Sequence, residues 1–488
     1  MPTDIARLHD VFDLAMRIGE GMLTNGAAAS EVTATMLRVT SSSGLRNVSV
    51  QVTFDEVAIS YLADETSSPF TRIRAASDRV QDFARLDAFE KVTIGYVEGE
   101  LDLAEARRRV EQIPQSKPLY SLPMVCAGYA VVGGGAALGL GAGTLVMIAA
   151  AIVSGLLLCI ADLFGKRQIP LFYTQATAGF VAVLSAIVVG RIDPTVNSSI
   201  VVVACIIVML AGLTSIGAMQ DAITGWYITA AGRVLETIML TVGLVVGVRG
   251  GLLLADAVGV DIAVSAAMPV SLVSVVVLGV SGGAIGIGYA IGAQSPARHL
   301  VWMAAIALLS SVLSHLLSGL LIERVWAVGI TAFIIGAVSV LLADRFRAPA
   351  LMFVMGGVIP LVPGSRIYRG LLALGDDVVS GGFELFSAAE IAVAIAAGAV
   401  LGQLLISRVI RRTRRTGIIY TPVITTPFTT PRRRRATISR QRRRRGIGVI
   451  EPSTMTAEMA ALTPEMLEEL ERFDSVPSAR TDPPQETP

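Results

Sequence analysis

The sequence predicts a polytopic α-helical membrane protein with about ten transmembrane helices, arranged as two inverted five-helix repeats after a small cytosolic α+β domain. Three observations predict this fold class. The 488 residues are 53% hydrophobic and only 16% charged, whereas soluble proteins carry about 25% charged residues. The chain contains many apolar runs of about 20 residues, the length that crosses a bilayer. The remaining charges are concentrated outside these runs.

The charge distribution divides the chain into four predicted domains. A mildly acidic stretch precedes a long, nearly uncharged one, which ends where a segment with 14 arginines and no acidic residue begins at Arg408. The charged residues after 445 are mainly acidic. The predicted domains are a cytosolic α+β domain at 1–120, a first five-helix repeat at 121–268, a second five-helix repeat at 269–410 and a largely disordered cytosolic tail at 411–488.

The sequence of the first domain predicts an α+β fold, because it contains both segments with a helical stripe of apolar residues and short segments rich in β-branched residues. Between the segments lie turn-forming stretches such as Asp55-Glu56. The predicted helices are 5–24, 28–43, 78–89 and 101–113, and the predicted strands are 48–54, 57–62 and 70–73.

Ten apolar runs follow, and an even number of spans places both chain ends on one side of the membrane. The arginines after Ser407 place that side in the cytoplasm by the positive-inside rule. The localisation predicted is therefore the cell membrane, multi-pass, with both termini cytoplasmic. The spans are predicted near 121–139, 143–161, 171–190, 198–216, 234–254, 271–291, 301–321, 325–342, 349–367 and 388–407.

Internal similarity predicts the repeat. The first and sixth spans contain glycine-rich lines with small-residue spacing, such as Gly135 and Gly139 against Gly282 and Gly286, which allow helices to approach closely. The fourth and ninth spans both run into a polar break. Because five spans is an odd number, the two copies must lie in opposite orientations. The alternative is that glycine-rich helices look alike in any bundle.

The tail adds an arginine-rich run at 432–445 and a predicted short helix at 464–473. Attraction to anionic lipid is the preferred interpretation of the arginines, with topological anchoring second. Nucleic-acid binding is not predicted, since the run contains no aromatic residue.

Several kinds of chemistry lack their usual motifs. No phosphate-binding G-x-x-x-x-G-K-[ST] occurs, so the chain itself contains no ATP-driven pump. H-E-x-x-H is also absent. The three cysteines lie in apolar runs without C-x-x-C spacing, so neither a disulfide framework nor zinc is predicted. No metal and no cofactor are predicted.

The candidate site residues are the polar and ionisable groups at membrane depth, because burying them is costly and usually functional. The first group follows the fourth span, where hydroxyl groups, an amide and an acid are interrupted by glycine. This pattern predicts a broken helix whose free N–H and C=O groups suit a zwitterion; the alternative is a plain cytoplasmic loop. A pair at i,i+3 completes the group. Its members are Thr214, Ser215, Gln220, Asp221, Thr224, Arg233 and Glu236.

The second group follows the matching break in the ninth span. Pro360 and Pro363 interrupt that span, and Ser365, Arg366 and Arg369 follow. The arginines are candidates for holding a carboxylate or balancing Asp221; the alternative is a helix end with interfacial arginines. His315, in the seventh span, is a candidate proton relay, with a packing histidine as the alternative.

At these residues the sequence resembles the threonine/serine exporter (ThrE) family, over residues 5–410. The N-terminal signature is matched by LTNGAAASEV at residues 23–32. In the membrane the matches are LAGLT at 210–214, QDAITG at 220–225, AGRVLET at 231–237 and IPLVPGSRIYRG at 359–370. The resemblance implies a cytosolic domain fused to ten spans that export threonine and serine with the proton motive force.

The sequence therefore predicts a secondary exporter of small hydroxylated amino acids and not an enzyme. Asp221 would face the ammonium group, Arg366 or Arg369 the carboxylate, and Thr214 and Ser215 would line the site. Protons are the predicted coupling ion, through Asp221, Glu236 and His315, and a homo-oligomer is compatible with the sequence. The alternatives are a membrane-anchored enzyme whose N-terminal domain hydrolyses a cytosolic substrate, and an amino-acid channel.

Overall fold

The computed structural model describes residues 2–45, 47–62, 68–76, 80–209, 212–259, 272–320, 323–373 and 377–413. All structural statements below concern these residues. The arginine run at 432–445 and the predicted helix at 464–473 lie outside them, as does nearly all of the predicted tail.

The N-terminal region (residues 2–120) combines four helices with a three-stranded antiparallel sheet. The bounds are close to those predicted except for the third helix, which was predicted at 78–89 and lies at Phe83–Val97. Strand β1 pairs with β2 and β2 with β3, and Val52 lies opposite Val57. Alternate residues of β1 face the core, as the pattern of β-branched residues requires. The elements are α1 (Pro2–Thr24), α2 (Ala29–Ser42), β1 (Val48–Thr53), β2 (Glu56–Tyr61), β3 (Phe70–Ala75), α3 (Phe83–Val97) and α4 (Leu103–Gln112).

The helical region (residues 121–413) follows. Its elements are α5 (Leu122–Gly139), α6 (Thr144–Lys166), α7 (Leu171–Ile192), α8 (Ser198–Met209), α9 (Gly212–Ile223), α10 (Tyr227–Ala257), α11 (Leu272–Gly292), α12 (Ala297–Gly319), α13 (Arg324–Phe346), α14 (Ala350–Val358), a short 3₁₀ helix (Ile359–Leu361), α15 (Gly364–Ala373) and α16 (Val378–Thr413).

Eight of the described helices are long and apolar enough to cross a membrane, so the protein is a multi-pass membrane protein. The ninth predicted span is divided, since α14 gives way to the 3₁₀ helix and α15. Pro360 and Pro363 explain this division, because proline lacks the N–H that a continuous helix needs. In the fourth predicted span α8 is described to Met209 and α9 from Gly212, and the predicted polar break begins at residues outside the described part. The count of ten spans stays a prediction.

Glycine allows close packing where α5 crosses α11. A Cβ atom on Gly128 would lie 2.8 Å from the carbonyl oxygen of Gly288. Gly135 and Gly139 of the predicted small-residue pattern also face α11, and Ser281 Oγ donates a hydrogen bond of 2.7 Å to the carbonyl of Gly135. The first and sixth predicted spans therefore pack together through their glycine-rich faces.

The two halves of the helical region share a packing pattern. In the first half α5 packs against α6 and α7 against α10; in the second, α11 packs against α12 and α13 against α16. A five-helix repeat requires such a similarity, and both the repeat and the opposite orientation of its two copies stay predictions.

The N-terminal region also contacts the second half, around the turn between α11 and α12. The backbone N–H of Phe83 donates to the carbonyl of Ala293 at 2.9 Å. Arg298 forms an ion pair of 2.8 Å with Asp87, whose side chain is almost fully buried. These contacts hold the N-terminal region against one end of the helical region.

Candidate functional site

The candidate site is a buried ion pair between Asp221 and Arg233. Arg233 Nη1 lies 2.6 Å from Asp221 Oδ2, and the two side chains are only 6% and 0% exposed. Removing two charges from water is expensive, and an ion pair without solvent is retained only where its partners are well placed. A buried pair of this kind in the helical region of a membrane protein is a functional-site candidate.

A tight turn brings the two charges together. Helix α9 ends at Ile223 and is followed by Gly225, which has a left-handed φ of +92°. The N–H of Trp226 donates to the carbonyl of Asp221 at 2.8 Å. This is the usual hydrogen-bond pattern that ends a helix at glycine. Helix α10 then packs against α9. Gly217, one turn before Asp221, leaves room for the guanidinium, because a Cβ atom there would lie 3.3 Å from Arg233 Nη1.

The N-terminal region contributes backbone groups to both members of the pair. The N–H of Ala29 donates to Asp221 Oδ1 at 3.1 Å, and Arg233 Nη2 donates to the carbonyl of Ala27 at 3.2 Å. Ala29 is the first residue of α2, and Ala28 in front of it offers no side-chain cap. Side-chain oxygens normally satisfy the free N–H groups at this end of a helix. Asp221 therefore acts as a cap supplied from the helical region.

These backbone groups belong to residues 25–30, which we call the docking loop. Helix α1 ends at Thr24 and is followed by Gly26, which has a φ of +94°. The N–H of Ala27 donates a hydrogen bond to the carbonyl of Met22 at 3.0 Å. Asn25 Nδ2 caps the carbonyl of Gly21 at 2.7 Å. This helix end turns the chain sharply, so that α2 starts directly at the ion pair.

The β1–β2 hairpin makes a second contact one turn away on α10. Thr229 Oγ1 donates to the carbonyl of Val52 at 3.0 Å and accepts from the N–H of Phe54 at 3.2 Å. The ring of Phe54 covers Gly232, the neighbour of Arg233. The ion pair is thus enclosed by two segments of the N-terminal region.

An ionisable group lies on α2 two residues beyond Ala29. Burial and the nearby carboxylate of Glu90 raise the pKa of Glu31 from 4.5 to about 7, and the guanidinium of Arg38 lowers it in part. Glu90 is itself 1% exposed. The carboxyl group of Glu31 therefore titrates near neutral pH, close to the docking loop.

The other predicted residues near Asp221 are partly accounted for. Gln220 and Thr224 are buried, and Thr224 Oγ1 donates to the carbonyl of Gln220 at 2.9 Å. Glu236 is half-buried on α10. The sequence predicted it as a partner of Arg233, and the ion pair that the described residues show for Arg233 is the one with Asp221. Thr214 and Ser215 lie in the first turn of α9, but their side chains are outside the described part of the structure.

The residues predicted from the second half lie elsewhere. Arg366 and Arg369 are half-buried on α15, with Arg366 donating to Ser387 of α16, and no contact between described residues joins them to Asp221. The side chain of Ser365 is not described. His315 Nε2 lies 3.3 Å from Ser274 Oγ, between α12 and α11. The roles of these residues in binding or proton coupling stay predictions.

The residues that sequence reasoning missed contribute through their backbone. Ala27, Ala29 and Val52 carry no functional side chain, so no pattern of residue types identifies them. The signal present in the sequence was the segment at residues 23–32 that resembles the family signature, and this segment contains the whole docking loop. Its place beside Asp221 follows only from the folded chain.

Together, the fold and the site define a class: a multi-pass membrane protein whose helical region contains a divided helix and a buried ion pair, as in many transporters. Residues 13–255 match the family model ThrE, described as "Putative threonine/serine exporter", and residues 284–405 match a second model, "Threonine/Serine exporter, ThrE". The chain belongs to this threonine/serine exporter family, so the predicted resemblance is confirmed, as is the prediction of a transporter and not an enzyme.

Two relatives match most of the chain. A "Threonine/serine exporter" of Corynebacterium glutamicum is 29% identical over 419 residues, which cover 84% of this chain and 86% of the relative. A "Probable threonine/serine exporter" of Mycobacterium tuberculosis is 29% identical over 416 residues, covering 83% and 78%. No solved structure matches the chain at a significant level.

Proposed function

We propose that the protein is a secondary transporter that exports threonine, serine and similar small amino acids from the cytoplasm. The observation that carries the proposal is the buried Asp221–Arg233 pair where α9 meets α10. Further support comes from two relatives that are named threonine/serine exporters and that match this chain over most of their length.

The pair suits a zwitterion. Asp221 is the group for the substrate ammonium, and Arg233 is the first group for its carboxylate, because a guanidinium binds carboxylates with two parallel hydrogen bonds. Gln220 on α9 and Thr224 directly after α9 are buried beside Asp221 and complete the polar surface. Thr214 and Ser215 lie in the first turn of α9, so the substrate would follow α9 towards its N-terminal end.

The arginines of α15 serve the other end of the path. Arg366 and Arg369 follow the break between α14 and α15. Each has a buried Nε atom without a hydrogen-bond partner among the described residues. Arg324, at the start of α13, lies within range of the positive charges of both. This concentration of positive charge attracts a carboxylate after it leaves Arg233.

Export is coupled to protons in this proposal. Asp221, Glu236 and His315 are the titratable groups that would carry them, and neutralising Asp221 by a proton would release Arg233 and the substrate ammonium. The N-terminal region and both chain ends face the cytoplasm, as the arginines after Ser407 favour. The enclosing contacts of the N-terminal region then close the cytoplasmic end of the path.

Counterflow in proteoliposomes tests this function. Vesicles loaded with unlabelled threonine should accumulate labelled threonine, and an imposed pH gradient should change its steady-state distribution. A protonophore should abolish the effect of the gradient. Flux that shows no counterflow and ignores the protonophore would indicate a channel and would contradict the proposal.

A further inference from the structure

We propose that the docking loop supplies half of the amino-acid-binding site, which it shares with Asp221 and Arg233. The ligand is a zwitterionic α-amino acid with a side-chain hydroxyl group. This inference rests on the proposed function and adds to it that the N-terminal region binds the substrate directly.

The first argument is the matching of charges at the junction. Two acceptors meet there, the Asp221 carboxylate and the Ala27 carbonyl, and two donors, the Arg233 guanidinium and the Ala29 N–H. Both donors are bonded to these acceptors. The Ala29 N–H donates to Asp221, and Arg233 is bonded to Asp221 and to the Ala27 carbonyl. An α-amino acid carries one ammonium group and one carboxylate, so its entry offers each acceptor a donor and each donor an acceptor.

The exchange leaves no charge alone. Removing one partner of a buried ion pair is strongly destabilising because the other charge stays in a low-dielectric site. A zwitterion avoids this: its ammonium replaces Arg233 beside Asp221 and the Ala27 carbonyl, and its carboxylate replaces Asp221 beside Arg233 and the Ala29 N–H. The start of a helix is a favourable place for that carboxylate. A ligand with a single charge satisfies only half of the junction.

The second argument concerns polar atoms without a partner. Asn25 Oδ1, Ser30 Oγ and Arg233 Nε are buried and accept or donate no hydrogen bond among the described residues. Asn25 is 4% exposed and Ser30 is 0% exposed, and these two residues stand at the two ends of the docking loop. Native proteins leave few such atoms. A hydroxyl group, which is both donor and acceptor, matches an amide oxygen or a serine better than an aliphatic side chain does.

The alternative is that Asp221 caps α2 only to dock the N-terminal region. In that case the loop matters for stability and not for substrate affinity. Binding measurements on the purified full-length protein separate the two cases, with L-threonine and L-threoninamide as probes. Threoninamide keeps the ammonium and the hydroxyl groups but has no carboxylate.

Ala29→Pro removes one hydrogen-bond donor at a position that tolerates proline. Ala29 is the first residue of α2, where proline is common because its N–H is not needed by the helix. Ala28 already has the extended conformation, with φ of −70° and ψ of 150°, that a residue before proline prefers. We expect threonine binding to weaken about tenfold, as for a lost hydrogen bond to a charged group. Threoninamide binding should stay unchanged.

A matched glycine pair provides the second test. Gly26 and Gly44 flank α2, with φ of +94° and +85°, so alanine strains the backbone similarly at both. Only Gly26 shapes the docking loop, while a Cβ atom on Gly44 meets nothing within 4 Å. Gly26→Ala should weaken threonine binding several-fold, and Gly44→Ala should leave it unchanged.

The inference is overturned if Ala29→Pro and Gly26→Ala lower the melting temperature but bind threonine and threoninamide in the wild-type ratio. If Asp221→Asn abolishes threonine binding in the same series, the proposed function stands and only the role of the loop is lost. If Asp221→Asn also binds threonine normally, the proposed site and the inference fail together.

Discussion

Phe54 packs so tightly against Gly232 that a Cβ atom on the glycine would lie 2.6 Å from Cδ2 of the ring. Phe54 itself has a left-handed φ of +48°, a conformation that is an outlier for a bulky residue. Strained residues of this kind concentrate at functional sites. The strained residue lies where the β1–β2 hairpin meets α10, one residue from Arg233. Its contact with Gly232 holds the N-terminal region over the ion pair.

Gly232→Val should displace the hairpin, because the new side chain occupies the space of the Phe54 ring. Overpacking of this size costs about 1–3 kcal/mol, and we expect threonine efflux from proteoliposomes to fall about tenfold. The double variant Phe54→Ala/Gly232→Val removes the clash and should recover most of the efflux. Wild-type efflux in the single variant would show that this contact does not matter for transport.

Arg233→Gln should destabilise the protein, since it leaves Asp221 buried without its counter-charge. Breaking a buried pair in this way costs about 3–5 kcal/mol, which thermal unfolding of the purified protein measures. Asp221→Asn/Arg233→Gln has no uncompensated charge and should regain much of the stability while remaining inactive in efflux. A double variant as unstable as the single one would mean that the pair does not act as a unit.

Glu31 predicts a pH dependence of stability. Its pKa is raised from 4.5 to about 7 by burial and Glu90, so between these pH values the folded protein keeps a proton that the unfolded chain releases. The free energy of unfolding therefore falls as the pH rises through this window, by roughly 2–3 kcal/mol from this group. Glu31→Gln should remove that fall and be more stable than the wild type above pH 7. Parallel pH profiles of the two proteins would contradict the assignment.

Gly128→Ala should separate α5 from α11, because the added Cβ atom meets the carbonyl of Gly288 at 2.8 Å. The control is Gly165→Ala on α6, where a Cβ atom meets nothing within 4 Å and alanine favours the helix by up to about 1 kcal/mol. Melting temperatures should fall for the first variant and stay equal or rise for the second. Equal values in both would show that the α5–α11 crossing tolerates expansion.

Much of the fold follows from local patterns. The stripe of α1 and the three strands are local signals, and the predicted strands at 48–54 and 57–62 agree with β1 and β2 to within a residue. Pro360 and Pro363 mark the division after α14 for the same reason. The predicted break in the first half was less clear, since the polar segment is helical from Gly212 through Ile223.

The site was only half predictable. Asp221 and Arg233 can be recognised from the sequence as charges in apolar surroundings. Their spacing of twelve residues does not show that they pair, and the i,i+3 rule predicted Glu236 as the partner of Arg233. The partners Ala27 and Ala29 act through backbone groups almost two hundred residues away in sequence. Such contacts depend on how the N-terminal region docks, which no local pattern encodes.

The most direct measurement of the central claim is labelled threonine efflux by Asp221→Asn compared with Asp162→Asn. Asp162 is also a carboxylate in a membrane helix and also has a cation within 2.6 Å, but its side chain and that of its partner Lys166 are 32% and 67% exposed. With equal protein in the vesicles, Asp221→Asn should lose efflux and Asp162→Asn should keep it. Wild-type efflux by Asp221→Asn would contradict the account.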